Sequence, residues 1–144
     1  MLAESTIKNM FADIIYDYVQ GSNYHDVYLG VFSLISGDNF VEPTDSSYKR
    51  ALLSGRLGNN VKNWAFTYTK DDGTGKSKLV ATNTNEIHLP ETTQAWETIS
   101  SFGIFDSQTG GTPRYWGTLK TSITPAAKAV VVIKEGALSI TIEG

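Results

Sequence analysis

A mainly β fold is predicted for this chain: an antiparallel β-sandwich, jelly-roll-like and of about eight strands, with one N-terminal α-helix. Three observations predict it. After Gly21 short runs rich in β-branched and aromatic residues are separated by clusters of Gly, Asn, Asp and Pro, the pattern of an antiparallel all-β domain. Before Gly21 apolar residues recur at three and four, the period of a helix. Hydrophobic residues make up 40% and aromatic residues 11% of 144, against 19% charged, which is the composition of a packed core rather than a disordered tail.

The helix is expected over 5–20, where Ile7, Met10, Phe11, Ile14, Ile15, Tyr18 and Val19 form one apolar stripe. Ser5 or Thr6 is placed to cap its start, and Gly21 to end it without a Cβ clash. A helix this short is marginal alone in water. Its stripe must therefore dock on the sheet or on another copy of the chain, and Ile7, Phe11, Ile14, Ile15 and Tyr18 are the candidate subunit interface.

Strands are expected near 26–34, 48–53, 64–69, 86–89, 97–105, 115–120, 127–134 and 138–142. Trp64, Phe66 and Tyr68 alternate with Ala65 and Thr67, and Leu138, Ile140 and Ile142 with Ser139 and Thr141, so each run offers one apolar face. Val130 to Ile133 is apolar throughout, which predicts burial on both faces, either inside the sandwich or under a neighbouring subunit. The runs Asp71-Asp72-Gly73-Thr74-Gly75, Thr109-Gly110-Gly111-Thr112-Pro113 and Glu135-Gly136 are suited to three hairpin turns. One domain over 1–144 accommodates all of this, with the helix in 1–21 and the sandwich in 22–144.

Chemistry-bearing patterns are sparse. Net charge is -3 and Lys and Arg are scattered, so no basic stripe awaits nucleic acid. Cysteine is absent, which removes disulfides and thiolate ligands. The first ten residues carry Glu4 and Lys8 among apolar positions and do not read as a signal peptide. No apolar run reaches membrane-spanning length. Gly75-Lys76-Ser77 ends like a phosphate-binding loop, but Lys70 stands where the first glycine is needed. A turn is the better reading. Asp71, Asp72 and Asp106 lack the ordered spacing of a calcium loop, and His25 and His88 lack a second ligand at metal spacing. Glu86, Glu91, Glu97 and Asp106 are carboxylates from which a hydrolytic pair could be drawn, though spacing selects no two. No cofactor, metal or catalytic residue is predicted. Tyr115 and Trp116 are adjacent and so on opposite faces of a strand. The one that points outward is the candidate surface aromatic contact.

In order along the chain, Tyr48-Lys49-Arg50, Asn63-Trp64, Ile87-His88-Leu89-Pro90, Trp96-Glu97-Thr98-Ile99, Phe102-Gly103-Ile104-Phe105-Asp106, Gly110-Gly111, Tyr115-Trp116-Gly117 and the closing Gly136 to Ile142 can be set against known proteins. This series resembles a family of small bacteriophage virion proteins usually labelled tail fibre or head fibre proteins. The stretch after Ala51, Gly55 to Asn60, is longer and more polar than the family pattern. The resemblance implies a non-enzymatic virion structural protein, a tail-fibre or capsid-surface subunit that acts through self-assembly and attachment. It implies a homo-oligomer, with threefold symmetric assembly as the hypothesis, other virion proteins as partners and the virion, assembled in host cytoplasm, as its location. A glycan- or receptor-binding β-sandwich module that contacts a host surface glycan is the alternative, and a small polysaccharide hydrolase comes third.

Overall fold

The computed structural model of the chain describes residues 3–16, 27–54, 64–70, 73 and 75–143, with the backbone alone for 12–16 and 54. Its elements are α1 (Glu4–Tyr16), β1 (Val27–Phe32), β2 (Leu34–Ser36), β3 (Asn39–Val41), β4 (Ala51–Ser54), β5 (Trp64–Thr69), β6 (Lys78–Asn83), β7 (Ile87–His88), β8 (Ile99–Phe105), β9 (Tyr115–Ile123), β10 (Val132–Ile133) and β11 (Ser139–Glu143). The mainly β, sandwich-like expectation holds. A four-stranded sheet ordered β4-β1-β8-β9 faces a three-stranded sheet ordered β11-β6-β5, and every ladder is antiparallel. Two short ladders, β2 with β3 and β7 with β10, complete it.

Period-two alternation builds the core between the two sheets. Val27, Leu29 and Val31 of β1, Phe102 and Ile104 of β8, Leu79 and Ala81 of β6, and Ile140 and Ile142 of β11 belong to one buried cluster. Trp64 is in it as well, packed rather than presented. The helix closes one end of the gap, against β4, β6 and β11. Ile7 and Phe11 are fully buried there, the Phe11 ring edge-on to Trp64 at 5.2 Å and Phe66 at 5.1 Å. Each such side chain stabilises the fold by about 1.5–3 kcal/mol.

Several expectations need correction. The Ile7 N–H donates to the Ala3 carbonyl, so the helix begins before Ser5 and Thr6, which lie in its first turn rather than capping it. Met10 is 40% exposed and off the buried stripe. Val130 is 52% exposed, while Val131 and Ile133 are buried. Among the described residues that run pairs with short β7 and with Leu89, so within the single chain it is not buried on both faces inside the sandwich. Glu135-Gly136 joins strands of different ladders and makes no hairpin. The 109–113 run joins the antiparallel neighbours β8 and β9; of the 71–75 run, between antiparallel β5 and β6, only Gly73 and Gly75 are among the described residues. Gly110 and Gly111 have φ of 69° and 72°, a left-handed turn that an L side chain would strain.

The doubly buried strands are β1 and β8. Gly30, Phe32, Gly103 and Phe105 point away from the main core yet are buried. A Cβ on Gly103 would stand 2.6 Å from the Phe32 ring, and one on Gly30 would stand 2.8 Å from the Phe105 ring. The two glycines thus make the room that two phenylalanine rings occupy on the outer face of the four-stranded sheet.

Candidate functional site

That outer layer carries the surface features of interest. The β2–β3 hairpin turns at Gly37, whose φ is 59°, and folds back over the sheet. Its Phe40 ring meets Phe32 at 5.2 Å and Trp116 at 6.3 Å. Trp116 is the outward member of the predicted pair, 49% exposed, with one ring edge propped by Phe40. Tyr115 points inward and is half-buried against Phe102, and its hydroxyl accepts a hydrogen bond from the Thr141 N–H at 3.1 Å. Leu34 on the hairpin's other side is 56% exposed.

The loop from β3 to β4 is fastened by two buried ionic hubs. Arg50 donates to Glu42 through Nε at 3.0 Å and Nη2 at 2.7 Å, and its Nη1 donates to the carbonyls of Ser107 at 2.9 Å and Gly110 at 2.8 Å. Its guanidinium lies 3.4 Å over the Phe105 ring. A planar fork makes this set of bonds possible and a point-charge ammonium would not. The Tyr48 hydroxyl donates to Glu42 and accepts from the Val31 N–H. Burial, followed by the adjacent Glu42, pushes the Tyr48 phenol far above its ordinary range.

Asp45 is the second hub. Its carboxylate accepts from the Thr93 hydroxyl and N–H, the Gln94 N–H, the Trp96 indole at 3.0 Å and the Ser47 N–H. These bonds, the Thr93 hydroxyl foremost, hold its carboxyl well below the usual carboxylate range against the opposing cost of burial. Trp96 also packs edge-on to Tyr48 at 5.6 Å. A depression of about 330 Å³ opens beside this hub, between 41–45 and 94–97.

Of the predicted interface residues, Ile7 and Phe11 are buried within their own chain, because the stripe docks on the sheets. They offer a partner no surface. The side chains of Ile14 and Ile15, and all of Tyr18, Val19, Gly21, His25 and the 55–60 stretch, lie outside the described residues. So do Asp71 and Asp72. Ser77 is buried and its hydroxyl accepts from Tyr68 at 3.1 Å, while Gly75 and Lys76 are exposed, so the serine hydroxyl is engaged in packing against β5. Glu86 pairs with exposed His88 at 3.2 Å and lines a different depression from Glu97. Glu91 and Asp106 are exposed. Among the described residues no three His, Asp or Glu side chains are grouped to hold a metal ion, and no helix is long and apolar enough to cross a membrane.

A family model described as Podophage GP4 fiber I protein gp80 matches residues 6–141, nearly the whole chain. The chain belongs to this gp80 family of phage fibre proteins. No curated relative matches it. Within this gp80-family chain the segments that carried the resemblance serve as scaffold: Trp96 bonds to Asp45, Arg50 to the carbonyls before Gly111, and Gly103 admits the Phe32 ring. Sequence reading missed Glu42, Asp45 and Phe40. Asp45-Ser46-Ser47 has the composition of an Asx turn, the one local signal that could have singled Asp45 out.

Proposed function

We propose that the chain is a non-enzymatic fibre subunit, on the tail or the capsid surface, that works by self-assembly and attachment within the virion. Membership of a phage fibre family supports the structural role. The observation that carries the assembly reading is Trp116, half-exposed, held edge-on by Phe40 and set on edge strand β9 beside the doubly buried β8. A rigid indole of this kind is the usual anchor of a protein interface. Contact between copies, in a trimer or another closed ring, is assigned to this face; the helix, whose Ile7 and Phe11 are buried, serves the core.

Light scattering over a range of concentrations, with Trp116→Ser alongside, tests the reading. A stable oligomer that the variant separates into folded monomers supports it. A monomer at every concentration, or an oligomer indifferent to the substitution, removes Trp116 from the interface. The second reading is attachment to a host surface glycan by stacking on the same exposed ring.

A further inference from the structure

The depression beside Asp45 is not used by the assembly reading, and its construction is that of a preformed ligand site. One wall is the end of β3 with Pro43 and Thr44, and the other is the extended segment Gln94 to Glu97. A single carboxylate ties the walls together, because Asp45 on the first accepts hydrogen bonds from Gln94 and Trp96 on the second and from Thr93 just before it. The Trp96 N–H to Pro125 carbonyl bond at 3.0 Å holds the second wall from behind. The site is therefore shaped before any ligand arrives, which removes an ordering cost from binding.

Its chemistry is mixed. The side chains of Thr44, Gln94 and Glu97 are exposed at the rim, and no hydrogen bond within the described residues engages them. A hydroxyl, a carboxamide and a carboxylate thus stand ready as donors and acceptors. Val41, Pro43 and Ala95 supply apolar surface between them. The charged groups facing the space are acidic, Glu42, Asp45 and Glu97, which disfavours an anionic ligand. About 330 Å³ is the low end of ligand-pocket sizes, roughly 300–1,000 Å³.

We infer that this depression is a binding site for a neutral saccharide of one or two rings, its hydroxyls held by Gln94 and Glu97 and its C–H face laid on Pro43 and Ala95. It is separate from Trp116, and it rests on the proposed attachment role only for the source of the saccharide.

The three tryptophans give three indole N–H signals that read three places: Trp96 at this site, Trp116 on the outer sheet face and Trp64 in the core. Protein labelled with ¹⁵N-tryptophan is titrated with lactose, maltose and diacetylchitobiose up to about 10 mM, the weak range expected of one shallow site. The expected result is a saturable shift of the Trp96 signal with at least one sugar, weakened about tenfold or more in Gln94→Ala/Glu97→Ala and kept in Trp116→Ala. Neither Gln94 nor Glu97 contributes its side chain to the scaffold, so the double variant should keep the parent spectrum without ligand. No saturable shift at Trp96 with any of the three overturns the inference. A shift confined to Trp116 overturns it too and moves the ligand to the outer sheet face. The oligomeric mass of the same samples is read independently, so loss of the saccharide site and loss of the assembly reading are distinguishable.

Discussion

Replacing Gly103 by alanine probes the packing on which the outer layer depends. The new Cβ would meet Phe32 Cζ at 2.6 Å, Phe32 Cε2 at 2.7 Å and Phe105 Cε2 at 3.1 Å. A ring tip can usually swing aside, but Phe32 is fully buried, with Phe40 at 5.2 Å and Phe105 at 6.0 Å. Its displacement must be passed on to those neighbours. Overpacking of this kind costs about 1–3 kcal/mol, and the gain of alanine over glycine in a strand offsets roughly 0.5–1 kcal/mol of it. A net loss of about 1–2 kcal/mol lowers the melting temperature by roughly 3–8 °C in a chain of this size. Because Phe40 props Trp116, tryptophan fluorescence should shift with it. Urea and thermal unfolding of Gly103→Ala, Phe32→Leu and the double variant form the cycle, and the smaller leucine should restore part of the loss. A single variant within about 0.3 kcal/mol of the parent, or a cycle that is merely additive, would refute the argument that the glycine exists to seat the ring.

Arg50→Lys keeps the charge but loses the fork that reaches Glu42 and two carbonyls at once; a loss of about 2–3 kcal/mol in urea unfolding is expected. Asp45→Asn leaves the size unchanged and removes the charge that five hydrogen bonds address, so the variant should melt lower than the parent at neutral pH. The pH profile has a definite sign. A carboxyl held below its ordinary value of 3.8 contributes stability that is complete above that value and is lost as pH falls toward the lowered one. The parent's melting temperature should therefore fall more steeply below pH 3.8 than that of Asp45→Asn, and parallel curves would detach Asp45 from acid stability. Trp116→Ser should cost only about 1 kcal/mol in monomer stability, since half the ring is already in water, while light scattering of the variant should show the proposed oligomer abolished.

Sequence pattern reveals one face of a strand more readily than two. Trp64, Phe66 and Tyr68 announce a half-buried strand by alternation, and β5 is one. β6 carries the same signal in Leu79 and Ala81, but a lysine, a small alanine and a buried Asn83 weaken it. Asn83 is buried because its amide donates to the carbonyls of Asn85 and Lys134 and its oxygen accepts from the Leu138 N–H. No local pattern encodes partners 51 and 55 residues away. β1 and β8 escaped recognition as doubly buried strands for a related reason: the middle of their second face is Gly30 and Gly103, which have no side chain to count as apolar, and only Phe32 and Phe105 at its end carry the signal. The candidate site followed the same division. That one of Tyr115 and Trp116 must face outward follows from alternation alone, whereas Asp45 with Thr93 and Trp96, and Arg50 with Ser107 and Gly110, are long-range pairings that only the fold discloses.

The placement of these pairings bears on how a fibre subunit could use its surface. Arg50, Glu42 and Asp45 are buried or half-buried, and their hydrogen bonds join the β3–β4 loop to the β8–β9 turn and to the 93–96 segment. Breaking any one leaves a charge buried without its partners, which is costly, so the loops they join are expected to move with the core. Phe32, Phe40 and Phe105 then transmit that rigidity to Trp116 through ring contacts of 5.2 to 6.3 Å. An anchor already fixed in its bound geometry gives up little conformational freedom on association. In this chain the buried charges thus serve the surface indirectly: they hold still the ring on which assembly is proposed to depend, and the walls of the depression beside Asp45.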